Sequence, residues 1–446
     1  MPRRIVIIGA SAAGTEAAVA ARKTDREAVI TLIDKAGMGA YSRCGLPFVL
    51  GGHIPRFENL IVYPQSLYRM MKFNLRLETT ATGIDTKAKT VDIEDRKGKK
   101  ETLGYDSLIL ATGSHPVALL IEGVDKEGVF TLHTMEDGRR LLEAMKRAKS
   151  AVVIGSGLVG LEVAAAFLES GIKTTVIEML PCVLPRFLDQ DMAGDVQEKL
   201  EEKGMEFLLG RAVEEIAGEE VVRGVSVAGK EIPADIVVNA AGVRPDTQLA
   251  QKAGIAIGET GGIKTDIRMQ TRTNDVYAAG DCAETTHMVA QKPVLPLLGA
   301  TAAREGKVAG VNAAGGYTLY PGTLCSAVSQ LFDFEVGATG LTEFLAPRFG
   351  VELVVGKVSG HTKATYYPGV LPIKVKLLVE RESKRIVGGQ IVGGEEVTQR
   401  INALSLAVQK QMTVYELVKA DTCYAPSVCE TWEPIVLAAE MAIRRL

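Results

Sequence analysis

The feature that most constrains this chain is a local pattern that occurs twice. At the N-terminus, "RRIVIIGASAAGTEAAVAARK" is an apolar β-branched run, a turn of small residues, and then helix-favouring residues with apolar spacing; "AVITLIDK" follows as a second strand that closes on Asp34 and Lys35. The second copy is "SAVVIGSGLVGLEVAAAFLESGIKTTVIEM", which closes on Glu178. Strand, glycine turn, helix and acid-tipped strand define a dinucleotide-binding βαβ unit, in which the free N–H groups of the helix N-terminus receive a pyrophosphate and the acid holds ribose hydroxyls. In the first unit Gly9, Ser11, Ala12, Ala13 and Gly14 form the turn, with serine where the middle glycine usually stands. In the second, Gly155, Gly157, Leu158, Val159 and Gly160 complete the full G-x-G-x-x-G pattern. Two such units imply an α/β chain that binds two different dinucleotides. A carboxylate at 178 accepts from a free ribose 2′-OH and repels a 2′-phosphate, so NADH is favoured over NADPH, with Lys173 or Arg186 able to offset that preference.

Size and charge agree with a multidomain chain. The 446 residues exceed what one hydrophobic core usually organises. With 51 basic and 54 acidic residues, the formal charge of -3 gives no reason to expect nucleic acid or an anionic membrane as partner. No apolar run reaches the roughly 18 to 20 residues that a bilayer crossing needs, and Arg3 and Arg4 lead straight into a strand, so the expected location is cytoplasmic. Six cysteines, at 44, 182, 282, 325, 423 and 429, have neither the density of a disulfide framework nor zinc-finger spacing. Of the five histidines only His115 and His287 lie near motif segments, and neither has ligand spacing, so no metal is expected.

Three further stretches run from strands into small-residue turns. "YDSLILATGS" carries Ala111, Thr112 and Gly113, and "DIVVNAAGVRPD" carries Gly242; both suit chain crossings between adjacent domains. "TNDVYAAGDCAE" sets Gly280 and Asp281 after a strand, where a carboxylate would grip a polyol chain, and a small-residue helix with Ala300 and Thr301 follows.

The ordered set GASAAG, Cys44, ATGS, GSGLVGLE, NAAGVRP and AAGDCAE resembles the two-dinucleotide-binding flavoprotein disulfide reductases over nearly the whole chain. The resemblance implies FAD on the first unit, NAD(P)H on the second, and a C-terminal α+β dimerisation domain. It divides the chain into a discontinuous FAD-binding domain (1–114 and 247–318), an NAD(P)H-binding domain (115–246) and a dimerisation domain (319–446).

Most of that family carries a C-x4-C pair after the first unit, whereas "AYSRCGLPFVLGG" has Cys44 alone, with Val49 in the second cysteine's place. A single cysteine resembles the branch of coenzyme A-disulfide reductases, NADH oxidases, NADH peroxidases and polysulfide reductases. By that likeness Cys44 is the nucleophile, Ser42 and Arg43 beside it join the cofactor contacts, and a helix dipole and the flavin's polar edge lower the thiol's pKa. Arg43 is also placed to serve an anion, including polysulfide. Peroxide- and oxygen-reducing members carry a histidine in the first glycine turn, where this chain has Ala12, which favours a small disulfide, a coenzyme A thiol derivative or polysulfide as acceptor. "KATYYPGVLPIKVKLL" and "DTCYAPSVCETWEP" resemble segments whose tyrosines reach the partner subunit's cysteine in a homodimer, which assigns Tyr367 (or Tyr366) and Tyr424. Arg22 and Lys72 stand where the branch places cations for coenzyme A, and Glu162 where a carboxylate gates hydride transfer. Cys423 and Cys429 raise the further expectation of an electron relay from Cys44. Two alternatives stay open: an NADH oxidase, and an electron-transfer reductase for a protein partner in which Cys44 is structural.

Overall fold

A computed structural model describes all 446 residues. Two five-stranded sheets, each wholly parallel, are built on the two repeated units. In the first, strands run in the order Val276–Ala278, Ser107–Leu110, Arg4–Ile8, Val29–Ile33 and Asn74–Arg76. In the second the order is Glu206–Leu209, Lys173–Glu178, Ser150–Ile154, Ile236–Asn239 and Val129–Phe130. Strands covered on both faces read as continuous apolar runs, and Ile5, Ile7, Ile30, Leu32, Val152, Val153 and Val176 are all fully buried. The acid Asp34 lies one residue beyond its strand rather than inside it.

The first sheet is completed only when the chain returns from the second, through Val276–Ala278. The passage out and back is marked by a short antiparallel pair, Ser114–Pro116 against Val243–Pro245. The "ATGS" and "NAAG" turns therefore sit side by side at the doorway between the two sheets.

Helix Ala12–Thr24 packs on helix Gly299–Ala313 with almost no side chain between them. A methyl group on Gly306 or Gly310 would lie 2.1 Å from the carbonyl oxygens of Ala13 and Ala17. Only glycine allows that approach, and it fixes the helix whose N-terminus carries the first nucleotide turn.

The C-terminal part is a five-stranded antiparallel sheet, ordered Ala327–Leu331, Phe334–Gly340, Ile386–Gly393, Pro372–Glu380 and Leu353–His361, with helices Val397–Gln409 and Pro434–Ile443 packed in its core. It is tied to the second parallel unit by ions. Lys376, fully buried, places its ammonium 3.0 Å from Asp189, 2.7 Å from Asp191 and in contact with Glu343. Gln390 completes the lock by donating to Asp189 at 2.8 Å and accepting from its N–H at 2.9 Å. No helix is long and apolar enough to cross a membrane.

Candidate active site

A single cleft of 1590 Å³ runs through the doorway and is lined by both glycine turns. That is more than one small-molecule site of roughly 300 to 1,000 Å³ needs and suits two dinucleotides lying end to end. The two units present matching chemistry to it. Gly9 and Gly155 both adopt positive φ, +107° and +106°, and a methyl on either would strike a neighbouring strand's carbonyl, Ala111 at 2.1 Å or Ala240 at 2.5 Å. The acids match as well. Asp34 accepts from the N–H of Ala10 (2.7 Å) and Ala36 (2.8 Å), and Glu178 from the N–H of Ser156 and Leu180 (both 2.9 Å).

The helix starts test whether dinucleotides fit. Helix Met135–Met145 begins with a capping box in which Thr134 and Asp137 satisfy the first N–H groups. Helices Ala12–Thr24 and Leu158–Glu169 begin at Ser11 and Gly157 with no side-chain cap and no acid in the first turn. Their amides open onto the cleft, and a methyl on Gly157 would meet nothing within 4 Å. Uncapped donors at the positive end of a helix dipole, with open space in front, are what a pyrophosphate requires. FAD and NAD(P)H fit the residues present.

Cys44 lines the same cleft as the two turns, in the short 3₁₀ turn Arg43–Gly45 that leads into helix Leu46–Leu50. Leu46, Val49 and Leu50 are buried in the same core as Leu161 and Val163, so the loop is anchored to the second unit, and Val49 fills a packing position where a second cysteine would have pointed. The Cys44 side chain is exposed, but toward the cleft. Its thiol is pushed up, first by burial, then by Glu162 and Asp281, against a smaller opposing effect of its own backbone and Arg43. This corrects the expectation of a lowered pKa: in the protein itself two carboxylates face the sulfur, and they disfavour the thiolate.

Glu162 accepts from the Ser329 hydroxyl at 2.6 Å, yet burial pushes its carboxyl up to about 7. Asp281 accepts from Ser114 Oγ at 2.8 Å. His133, held down to about 4 by burial and by Arg43, is a neutral imidazole whose Nε2 is 2.8 Å from Arg43 Nη1. A guanidinium only donates, so Nε2 accepts and the ring proton sits on Nδ1. Glu305, fully buried, accepts from the Gly280 N–H at 2.9 Å and is pushed up to about 8 by burial.

The cleft wall includes Gly9, Ser11 to Ala13, Asp34, Lys35, Ser42 to Cys44, Ala111 to Gly113, Gly155, Gly157 to Gly160, Glu162, Glu178, Gly242, Gly280, Asp281 and Ala300. Gly14 and Thr301 stand behind it. A methyl on Gly14 would lie 1.9 Å from the Gly9 carbonyl, so that residue serves helix–strand contact, and Thr301 is buried. Arg22 and Lys72 are outside the cleft: Arg22 is in the last turn of helix Ala12–Thr24, at the end away from the nucleotide turn, and Lys72 lies beside it. The Arg22 guanidinium donates to the carbonyls of Met71, Arg26, Ala28 and Lys72. Tyr367 and Tyr424 are exposed and also outside; Tyr424 shares a 3.0 Å hydrogen bond with Tyr366. Cys423 and Cys429 form no disulfide, and the buried Cys429 thiol donates to the Cys423 carbonyl at 3.4 Å.

The residue missed from sequence is His133. The signal available was the T-x-x-D start of the next helix, which places His133 just before a helix N-terminus and just after strand Val129–Phe130, at a sheet edge that faces ligands.

Comparison with known proteins agrees with this architecture. Residues 3–306 match the pyridine nucleotide-disulphide oxidoreductase family and residues 327–435 its dimerisation domain. An NADH oxidase of Methanocaldococcus jannaschii is 41% identical over 446 residues, covering 99% of each chain. A coenzyme A-dependent NAD(P)H sulfur oxidoreductase of Pyrococcus furiosus is 34% identical over 441 residues, 98% of this chain and 99% of the relative. Among solved structures, an NAD-dependent persulfide reductase from A. fulgidus superposes with a TM-score of 0.96 at 39% identity, over 99% of this chain and 83% of that one. The chain belongs to the pyridine nucleotide-disulphide oxidoreductases. It is an FAD-dependent NAD(P)H oxidoreductase of the type that includes coenzyme A-disulfide and persulfide reductases and NADH oxidases.

Proposed function

We propose that this enzyme reduces a small disulfide, persulfide or polysulfide, with Cys44 as the attacking nucleophile. The observation that carries the reading is the position of Cys44: a cysteine open to the cleft that both nucleotide turns line, on a loop anchored in the core of the second unit. FAD and NAD(P)H, when bound, supply two electrons as hydride. The chain's own residues do the rest. The amides at Ser11 to Ala13 and Gly157 to Val159 orient the pyrophosphates, Asp34 and Glu178 the riboses, and Asp281 the polyol. Glu162 holds a proton beside the sulfur near neutrality. In a homodimer formed through the C-terminal domain, the tyrosines 366, 367 and 424 would face the other copy's cleft. Lys72 is offered to an anionic tail such as that of coenzyme A, with Arg22 fixing the turn that carries it.

An NADH oxidase is the second reading, supported by the name of the M. jannaschii relative. Against it stands Ala12, which puts no imidazole in the first turn to steady a Cys44 sulfenate.

The deciding experiment is Cys44→Ser in the FAD-loaded enzyme. Disulfide and persulfide reduction should fall by more than about 100-fold while NADH-to-dye electron transfer stays within about twofold, because only the first needs the thiolate. Retained disulfide reduction would sink the proposal.

A further inference from the structure

Arg43 adjoins the reacting cysteine, and no carboxylate neutralises it. Its one side-chain hydrogen bond goes to the neutral imidazole of His133. The backbone of His133 is itself fixed, since its main-chain N–H donates to the Asp137 carboxylate at 3.1 Å within the capping arrangement that starts the next helix. A neutral acceptor orients a guanidinium without cancelling its charge, and four of its five N–H donors remain for the cleft. Four other cations line the cleft: Lys35 follows Asp34, Arg186 lies on the segment after Glu178, Arg211 donates its backbone N–H to the Glu178 carbonyl, and Lys252 ends the short helix Gln248–Lys252. Of the charged groups that act on the Cys44 thiol, Arg43 is the single cation, facing Glu162 and Asp281.

We infer that the Arg43–His133 pair is the receptor for the anionic end of the electron acceptor, a terminal sulfur anion of the kind carried by an organic persulfide (R–S–S⁻) or by inorganic polysulfide. This rests on the reading of Cys44 as nucleophile. A neutral disulfide has no use for an uncompensated guanidinium at this point, whereas a terminal sulfur anion needs one twice: to approach past two carboxylates, and to leave. The Cys44 thiolate attacks the sulfur next to the terminal one. The Cys44–S bond forms, the bond to the terminal sulfur breaks, and that sulfur departs with one proton from solvent as HS⁻, its charge met by Arg43. Two electrons from NAD(P)H then cleave the Cys44–S–S–R bond to the Cys44 thiolate and RS⁻, releasing NAD(P)⁺ and one proton. The sum is R–S–S⁻ plus NAD(P)H giving R–S⁻, HS⁻ and NAD(P)⁺.

The test reads the charge at Cys44 without turnover. Reduced, FAD-loaded enzyme is alkylated anaerobically with iodoacetate or with iodoacetamide, and the rate at the Cys44 peptide is followed by mass. Any change in thiol pKa affects both reagents alike, so their ratio reports the local cation. Arg43→Gln should lower the iodoacetate-to-iodoacetamide ratio by about fivefold or more, and Arg43→Lys should restore most of it. Turnover supplies the second arm. In Arg43→Gln, kcat/KM should fall relative to that for the neutral 2-hydroxyethyl disulfide equally for coenzyme A persulfide and for inorganic polysulfide. An unchanged alkylation ratio overturns the inference. So does a loss confined to coenzyme A persulfide, which would assign Arg43 to the carrier's phosphates. Cys44→Ser separates the two claims: if it abolishes acceptor reduction while Arg43→Gln leaves the ratio intact, only the receptor role fails, and if it does not, the nucleophile reading fails first.

Discussion

Replacing Glu162 with glutamine should make the protein more stable, and only above a definable pH. The carboxyl's ordinary value of 4.5 is pushed to about 7, chiefly by burial, with the Ser329 hydroxyl opposing. A displacement of that size means that folding disfavours the charged form by on the order of 3 kcal/mol. Between pH 4.5 and 7 the folded chain binds more protons at this site than the unfolded chain does. Stability is therefore lost as pH rises through that window, and the full penalty applies above 7. Glutamine cannot ionise but still accepts from Ser329, so the variant escapes the penalty. The assay is thermal unfolding of wild type and Glu162→Gln at pH 5 and pH 8.5. At about 2 to 4 °C per kcal/mol for a cooperative unit of 150 to 250 residues, the advantage of the variant should grow by about 5 °C or more between the two pH values. The Cys44 alkylation midpoint should also move down, since a like charge beside the thiol is gone. An identical difference in melting temperature at both pH values would refute the reasoning, because it would mean that Glu162 stays in one charge state throughout.

Three other outcomes follow from the packing. Lys376→Met leaves Asp189 buried without its ammonium and should cost about 3 to 5 kcal/mol, read as a lower urea midpoint; a loss below about 1 kcal/mol would mean that the interdomain ion lock is dispensable. Gly306→Ala forces a methyl to within 2.1 Å of the Ala13 carbonyl and should displace the helix under the first nucleotide turn, so the flavin absorbance per chain drops; full flavin content would refute this. Glu178→Ala removes the carboxylate that repels a 2′-phosphate and should shift the NADPH-to-NADH ratio of kcat/KM upward by about tenfold, whereas an unchanged ratio would assign cofactor choice to other residues.

The parts of the site legible in sequence are those built by neighbours along the chain. A strand, a glycine turn, a helix and an acid-tipped strand occupy some thirty residues, and each piece follows from local periodicity, from the close approach that only glycine allows and from amides left free at a helix start. Both nucleotide units could be read that way, down to Gly9 and Gly155 as matching positions. What could not be read is long-range. Arg43 and His133 are 90 residues apart and Glu162 and Ser329 are 167 apart, and each pair meets only because the two sheets and the C-terminal domain converge on one doorway. The direction of the Cys44 shift is not legible in the sequence for the same reason. A helix dipole can be inferred from a motif, but burial against Glu162 and Asp281 is a property of the assembled cleft.

That convergence sets the acid–base behaviour around the sulfur. Near pH 7 the His133 imidazole, at about 4, carries no extra proton, while Glu162, at about 7, is close to half protonated. Two titratable groups on the wall of the same cleft have been driven apart, which separates their roles. The imidazole can only orient Arg43, and Glu162 is the group beside the thiol whose proton can move. Ionising Cys44 next to a charged Glu162 sets two negative charges against each other, so protonating the carboxyl eases thiolate formation, and on the proposed mechanism that proton would lie beside the Cys44 thiolate. Glu162→Gln freezes the neutral partner in place. It should favour the thiolate at rest and remove any pH dependence near 7 that a titrating carboxyl beside Cys44 imposes on turnover, a change in the shape of the pH profile that a purely structural residue would not produce.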